Sequence, residues 1–239
     1  MTVVVVVPWR DKGCEWRQRA KIHVQAHYAR GHPGGQWVEG SCGGPWSKGR
    51  AVADALTRTA ADVLVVTDAD VLIAPEALHE AVSATESGGW AVPHLKVHRL
   101  SQRATEAHYA GDLIRDWDRQ PYRGVVGGGL VVVRRDVYER VPIDPRFEGW
   151  GGEDVAWGWA LNAVAGPAWR GEEPLTHLWH PSDRIGHVGS PESARLVARW
   201  KLAARRGGVT LEALLDEARG SLAVPASLPS LPVLPALPA

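Results

Sequence analysis

The chain has 239 residues, with 27 basic and 27 acidic side chains, a formal charge of zero and a pI near 7.2. Hydrophobic residues are 45% and charged residues 23%, ordinary globular proportions that exclude bulk disorder. The neutral total argues against a protein held on nucleic acid by a broad cationic face, though not against a local groove, and the length suits one large domain or two small ones with a core that needs no metal or disulfide staple.

In chain order, residues 3–7 are a run of five valines, too short for a helix and apolar on both faces, which predicts a central parallel strand. No basic residue precedes the run and Pro8-Trp9-Arg10-Asp11 closes it, so it is not expected to be a signal core. A helix is expected over 15–30 and a short strand over 36–39, followed by a glycine-rich loop. Ser47 suits the N-cap of a helix through about residue 60. Residues 62–67 form a second buried strand that stops at Asp68-Ala69-Asp70, and Pro75 opens a helix continuing over 76–84.

This alternation predicts a parallel sheet with covering helices and a ligand crevice at the carboxyl ends of the strands. The second half is less regular. Strands are expected over 89–97, 125–134 and 175–179, and helices over 101–117, 153–163 and 191–206. The segment 207–223 reads as a short helix, and 224–239 as an extended or disordered Pro-rich tail. No apolar run reaches the roughly 20 residues that span a bilayer.

Cys14 and Cys42 can form no disulfide framework and lack zinc spacing, which points to a reducing, cytoplasmic setting. Twelve Trp against one Phe, and arginine far in excess of lysine, fit the codon bias of a high-GC genome, actinobacterial or that of a phage of such a host.

Three constellations carry chemistry. Asp68 and Asp70 stand at alternate positions after a buried strand, where two carboxylates can share a crevice and hold a hard divalent cation beside a diphosphate. The plainer reading is a capping aspartate for the helix at Pro75. In Phe147-Glu148-Gly149-Trp150-Gly151-Gly152-Glu153-Asp154, glycines admit a close ligand, Trp150 offers a flat face to a sugar ring, and the acid pair sits at an expected helix start. An ionised carboxylate there can take a proton from an attacking hydroxyl; a turn with an acidic cap is the plainer alternative. In Thr176-His177-Leu178-Trp179-His180-Pro181, two imidazoles three residues apart can join carboxylates on Mn²⁺ or Zn²⁺, with His187 further on.

Taken in order, Val-Pro-Trp-Arg-Asp, Asp-Ala-Asp, Gly127-Gly128-Gly129, Gly-Trp-Gly-Gly-Glu-Asp and His-Leu-Trp-His-Pro resemble the GT-A fold glycosyltransferases over roughly residues 3–190, about four-fifths of the chain. The group most similar carries a galactosyltransferase-type GWGGED segment, as in β-1,4-galactosyltransferases, chondroitin-polymerase-like enzymes and polypeptide N-acetylgalactosaminyltransferases. The GWGGED block is specific; Asp-x-Asp alone is weak.

The resemblance implies an α/β GT-A fold, a Rossmann-like nucleotide-binding half over 1–85 fused to a sugar and acceptor half over 86–190 through a mixed central sheet, with a C-terminal helix over 191–206 closing a single domain over 1–206. It implies that Pro8, Arg10 and Asp11 hold the nucleotide, that Lys48 and Arg50 lead toward its diphosphate, and that Asp68 meets the ribose or a metal-bound water. Cations at Lys48 and Arg50 independently suit a diphosphate. Asp70 would bind Mn²⁺ or Mg²⁺ with His180 and His177, the latter in place of the family's methionine, and His187 remains a rival ligand. Gly128 and Gly129 would line the donor sugar, with Trp150 against a ligand. Glu153 would hold sugar hydroxyls and Asp154 would be the general base.

The retaining polypeptide transferases usually carry Asn where this chain has Asp154, which predicts inversion. The expected activity is metal-dependent transfer of a hexose or N-acetylhexosamine from a nucleoside-diphosphate sugar, UDP-linked, to a hydroxyl on a glycan, a protein or hydroxymethylated DNA. Two alternatives stand beside it. A nucleotidyltransferase on sugar phosphates generally shows a glycine-rich basic signature after the first strand, which is missing here. A non-catalytic carbohydrate-binding module would not need a base, a metal pair and a cationic loop together. Arg195, Arg199, Lys201, Arg205 and Arg206, with Trp200 among them, read either as a solvated helix face or as a guide for a polyanion such as DNA.

Overall fold

The computed structural model describes residues 1–31, 35–181 and 190–222. The chain runs β1 (Val3–Pro8), α1 (Glu15–Gly31), β2 (Gln36–Gly40), α2 (Lys48–Leu56), β3 (Val63–Thr67), β4 (Val71–Leu72), α3 (Pro75–Gly88), β5 (Trp90–Arg99), α4 (Gln102–Ala110), β6 (Tyr122–Arg123), β7 (Leu130–Arg134), α5 (Arg135–Arg140), α6 (Glu153–Ala165), β8 (Trp169–His177), α7 (Pro191–Arg206) and α8 (Gly208–Leu222).

One mixed sheet has the order β2-β1-β3-β7-β5-β8-β4, with β6 on β5. β1 is parallel to both β2 and β3, and β7 is antiparallel to β3 and β5. The valine run is apolar throughout because both faces are covered. Val4 and Val6 join Leu64, Val66, Val131 and Val133 in a core under α6, α7 and α8. Val5 and Val7 join Val63, Val65 and Val132 in a second core under α1, α3 and α4. Among the described residues no helix is long and apolar enough to cross a membrane.

Ser47 caps α2 as expected, accepting from the Arg50 N–H at 3.4 Å. Pro75 is the first residue of α3. Several expected boundaries are corrected. α2 ends at Leu56, where the Thr57 hydroxyl donates to the Asp54 carbonyl. The helix expected over 101–117 is α4 alone, stopped by Gly111 at φ 91°. The chain then turns back so that Trp117 bridges Leu100. The strand expected over 125–134 begins at Leu130; its glycines form a turn in which Gly128 N–H donates to the Val125 carbonyl and Gly129 has φ 74°. The strand expected over 175–179 is the longer β8, which ends at His177 and leaves Trp179 and His180 beyond it. The tail over 224–239 and His187 lie outside the described residues.

Candidate active site

The turn after β3 and the end of β8 meet because β4 pairs antiparallel with β8, with Val71 opposite His177. The Leu178 N–H donates to the Asp70 carbonyl at 2.8 Å and the Leu100 N–H to the His177 carbonyl at 2.9 Å, so the turn that carries both histidines is pinned on two sides. His180 Nε2 lies 3.1 Å from Asp70 Oδ2, and His177 Nε2 lies 3.6 Å from Asp70 Oδ1. One donor atom from each of the three residues falls within 4.8 Å of the others, and this is the one such group among the described residues.

Two observations bear on whether a metal fits there. His177 Nδ1 is buried without a hydrogen-bond partner, and His180 Nδ1 sits 2.9 Å from the Pro181 carbonyl, which turns Nε2 toward Asp70. Two imidazole nitrogens and one carboxylate oxygen form a donor set suited to a divalent transition metal such as Mn²⁺ or Zn²⁺. Burial alone would push the Asp70 carboxyl up, but His177 and His180 outweigh it and hold the group well below the usual carboxylate range. Burial would likewise lower His180, yet the Asp70 carboxylate carries it above the ordinary imidazole value. Burial lowers His177 against the pull of the Asp70 carboxylate.

Beside this triad lies a second cluster. Lys48, in the first turn of α2, has a side chain only 10% exposed. Its ammonium donates to Asp68 Oδ1 and to Asp154 Oδ1, both at 2.9 Å. Asp154 reaches it from the first turn of α6, whose start is set by Gly152 at φ 96°. Burial raises the Asp154 carboxyl despite the Lys48 charge. Burial and the Asp154 charge push Glu153 up to about 7.

The glycine turn before β7 packs directly on α6. A Cβ on Gly127 would overlap the Asp154 carbonyl oxygen and come within 2.8 Å of Gly158 N, while one on Gly128 would lie 3.0 Å from Asp154 Oδ2. Backbone therefore approaches backbone at the point where the carboxylate is presented, a reason for glycine that needs no ligand.

No protein-family model and no curated protein sequence matches the chain. Solved structures do. The catalytic domain of Drosophila β1,4-galactosyltransferase 7 in complex with xylobiose superposes with a TM-score of 0.53 at 16% identity, over 81% of this chain and 78% of that one. A mutant of the Drosophila enzyme, in complex with manganese, UDP-Gal and xylobiose, gives a TM-score of 0.51 at 15% identity over 79% and 75%. Glucosyl-3-phosphoglycerate synthase from Mycobacterium tuberculosis, in complex with Mn²⁺, UDP and glucosyl-3-phosphoglycerate, gives 0.48 at 16% over 85% and 79%.

The chain has the GT-A fold.

On this GT-A framework the expected site residues fall into separate groups. Asp70, His177 and His180 converge, and so do Lys48, Asp68, Glu153 and Asp154. Pro8 ends β1 opposite Gly40, and the Trp9 N–H donates to the Gly40 carbonyl at 2.7 Å. Arg10 donates to the Cys42 carbonyl at 2.5 Å and lies 5.3 Å above the Trp46 ring. Asp11 points to the start of α1 instead, accepting from Gly13 N–H and the Gln18 amide at 2.7 and 2.8 Å. Arg50 pairs with Glu148 at 2.5 Å, and the Gly149 N–H donates to the Trp46 carbonyl at 2.8 Å, so the Trp150 loop is tied to the start of α2. Trp150 is 53% exposed.

The basic helix face of α7 does not offer a stacking ring. Trp200 is fully buried and donates its indole N–H to Asp144 Oδ2 at 2.9 Å, while Arg199 pairs with Glu217 and Arg195 with Glu192. The reading of Trp200 as part of a polyanion guide is corrected: its ring faces the core because α8 and α6 flank α7.

Four residues that sequence reasoning passed over support the site. Arg17, in the first turn of α1, adds positive potential to Asp70 and His180; a cation in the first turn after β1 was a visible signal. Thr105 Oγ1 accepts the Trp179 N–H at 2.8 Å, and the Trp16 ring meets Trp179 edge-on at 4.9 Å. His94, fully buried and lowered to about 4 mainly by burial, is neutral, with Nε2 3.2 Å from the Gly128 carbonyl that it can hold from below. Nothing in their local sequence distinguished Thr105, Trp16 or His94 from ordinary core residues.

Proposed function

We propose that the protein is a metal-dependent, inverting glycosyltransferase that moves a hexose or N-acetylhexosamine from a UDP-linked donor to a hydroxyl acceptor. The observation that carries this reading is the convergence of Asp70, His177 and His180 next to the Lys48-bridged pair Asp68 and Asp154, at the edge where β3 and β8 end. The manganese, UDP-Gal and xylobiose bound by the Drosophila structure support it.

Asp70, His177 and His180 would hold Mn²⁺, their two imidazoles suiting it better than Mg²⁺, and the metal would supply Lewis-acid stabilisation of a departing diphosphate. The Pro8, Arg10 and Asp11 segment would receive the nucleotide, with Arg10 and Trp46 forming its most defined surface. Lys48 and Arg50 would face the diphosphate and Asp68 the ribose. Gly128 and Gly129 would line the donor sugar, although their lack of a side chain is already required by Val125 and Asp154 beside Gly128 and by Leu175 beside Gly129. Trp150 would stack on a sugar ring and Glu153 would bind sugar hydroxyls. Asp154 would take the proton of the acceptor hydroxyl as its oxygen bonds the anomeric carbon. The bond from that carbon to the diphosphate oxygen breaks, and the electron pair leaves with the nucleoside diphosphate. The acceptor is drawn from glycans, proteins or hydroxymethylated DNA.

The test is a panel of UDP- and GDP-sugars with Mn²⁺ or with EDTA, followed by mass spectrometry of candidate acceptors. Nucleotide release that requires the metal, together with a mass increase of one hexose or N-acetylhexosamine, is expected. Pyrophosphate formed from a nucleoside triphosphate and a sugar phosphate would replace this reading with a nucleotidyltransferase, and sugar binding without turnover would replace it with a binding module.

A further inference from the structure

Lys48 is the one cation within hydrogen-bonding reach of the acid cluster among the described contacts, and two acids share it. Its ammonium stands between Asp68 Oδ1 and Asp154 Oδ1 at equal distances of 2.9 Å, with Glu153 adding a further acidic group next to Asp154. The Lys48 side chain is 10% exposed, so the ammonium cannot swing out to solvent without breaking two part-buried ion pairs. It also occupies the first turn of α2, whose backbone N–H groups favour an anion. A diphosphate and the Asp154 carboxylate therefore draw on the same positive charge.

We infer that Lys48 is a positioning residue that couples nucleotide binding to the freedom of Asp154: the pull of a bound diphosphate on the ammonium weakens its hold on Asp154, which is then released to meet the acceptor hydroxyl. This inference rests on the glycosyltransferase reading and adds to it a physical link, through Lys48, between the diphosphate and Asp154. By linkage the coupling is reciprocal. Whatever weakens the Lys48–Asp154 pair must strengthen nucleotide binding, and it must do so through Lys48.

A double-mutant cycle read by calorimetry tests this, with UDP and, separately, GDP as probes in the presence of Mn²⁺. Asp154→Asn is expected to tighten UDP binding by about 5- to 10-fold, the size of coupling between residues in one ion-pair network. Lys48→Met is expected to weaken it, and in the Lys48→Met background Asp154→Asn is expected to have no effect. Lys48→Gln repeats the cycle with a polar side chain should the methionine variant fail to fold, which a thermal melt reports. An Asp154→Asn variant that binds UDP no more tightly than the parent overturns the inference. So does one that tightens binding equally with and without Lys48, since that is direct repulsion between Asp154 and the diphosphate. If the parent binds neither UDP nor GDP, the glycosyltransferase reading falls together with this inference; if it binds and the cycle shows no coupling, only this inference falls.

Discussion

At the scale of single residues, Asp154 and Glu153 are neighbours held in different surroundings. Asp154 faces Lys48 across 2.9 Å, which favours its carboxylate, whereas the Glu153 carboxyl accepts the Gly151 N–H at 3.0 Å and feels Lys48 only from further off. Asp154→Asn should therefore lower the transfer rate by about 10²–10⁴, the usual worth of a general base, with donor affinity not weakened; steady-state kcat measured with the preferred acceptor checks it. Glu153 yields a prediction in pH. Its carboxyl, pushed from 4.5 up to about 7, holds its proton more firmly in the folded chain than in the unfolded one. Its contribution to stability is thus complete below the unfolded value and is lost as pH rises through about 7. Melting temperature should fall over that window, and Glu153→Gln should flatten the fall in a series of melts at constant ionic strength.

Among elements, the contact that matters most is between the glycine turn before β7 and the first turns of α6. Gly127 faces Gly158 with no side chain between, so the helix that carries Asp154 is seated against backbone. Gly127→Ala would force the two apart and should cost about 2–3 kcal/mol by overpacking, with loss of activity beyond what unfolding accounts for. Urea denaturation and kcat at a temperature where the variant remains folded separate the two effects. The turn also explains why the strand expected over 125–134 is only five residues long: Gly127 and Gly128 turn against α6 instead of extending along the sheet. The helix expected to reach Trp117 stopped at Gly111 for a reason its sequence did carry, a glycine in the left-handed region at φ 91°.

Across the whole molecule, the C-terminal pair α7 and α8 packs on the hydrophobic core of the sheet, and one buried acid adds a polar anchor. Asp144, with a side chain 2% exposed, accepts from the Arg146 guanidinium at 2.7 Å and from the Trp200 indole at 2.9 Å. Arg146 in turn reaches Glu217 on α8, as does Arg199 from α7. Asp144→Ala strands the buried indole N–H and removes the hub of this network, which should cost about 3 kcal/mol. Chemical denaturation would register it as a lower midpoint, and hydrogen exchange should show α7 and α8 losing protection before β1 and β3. The same arrangement turns Trp200 inward and leaves Arg195 and Arg199 of α7 to their acidic partners.

The groups that converge were legible in the linear chain as local patterns: an apolar strand that ends in Asp68 and Asp70, a glycine-tryptophan loop that ends in an acid pair, and two histidines at a short spacing. The unbroken apolar pattern also placed the valine run inside the sheet with both faces covered; β1 lies between β2 and β3, one strand in from the edge. What the tertiary structure decided were the encounters between distant segments. The pairing of β4 with β8 brought Asp70 to His177 and His180, and the packing of α2 against β1 and β2 put the Lys48 ammonium between Asp68, just past β3, and Asp154, in the first turn of α6. Such contacts depend on strand order and helix seating, and residues 106 positions apart leave no trace of each other in local pattern, which is why Lys48 read as a phosphate ligand and not as the partner of Asp154.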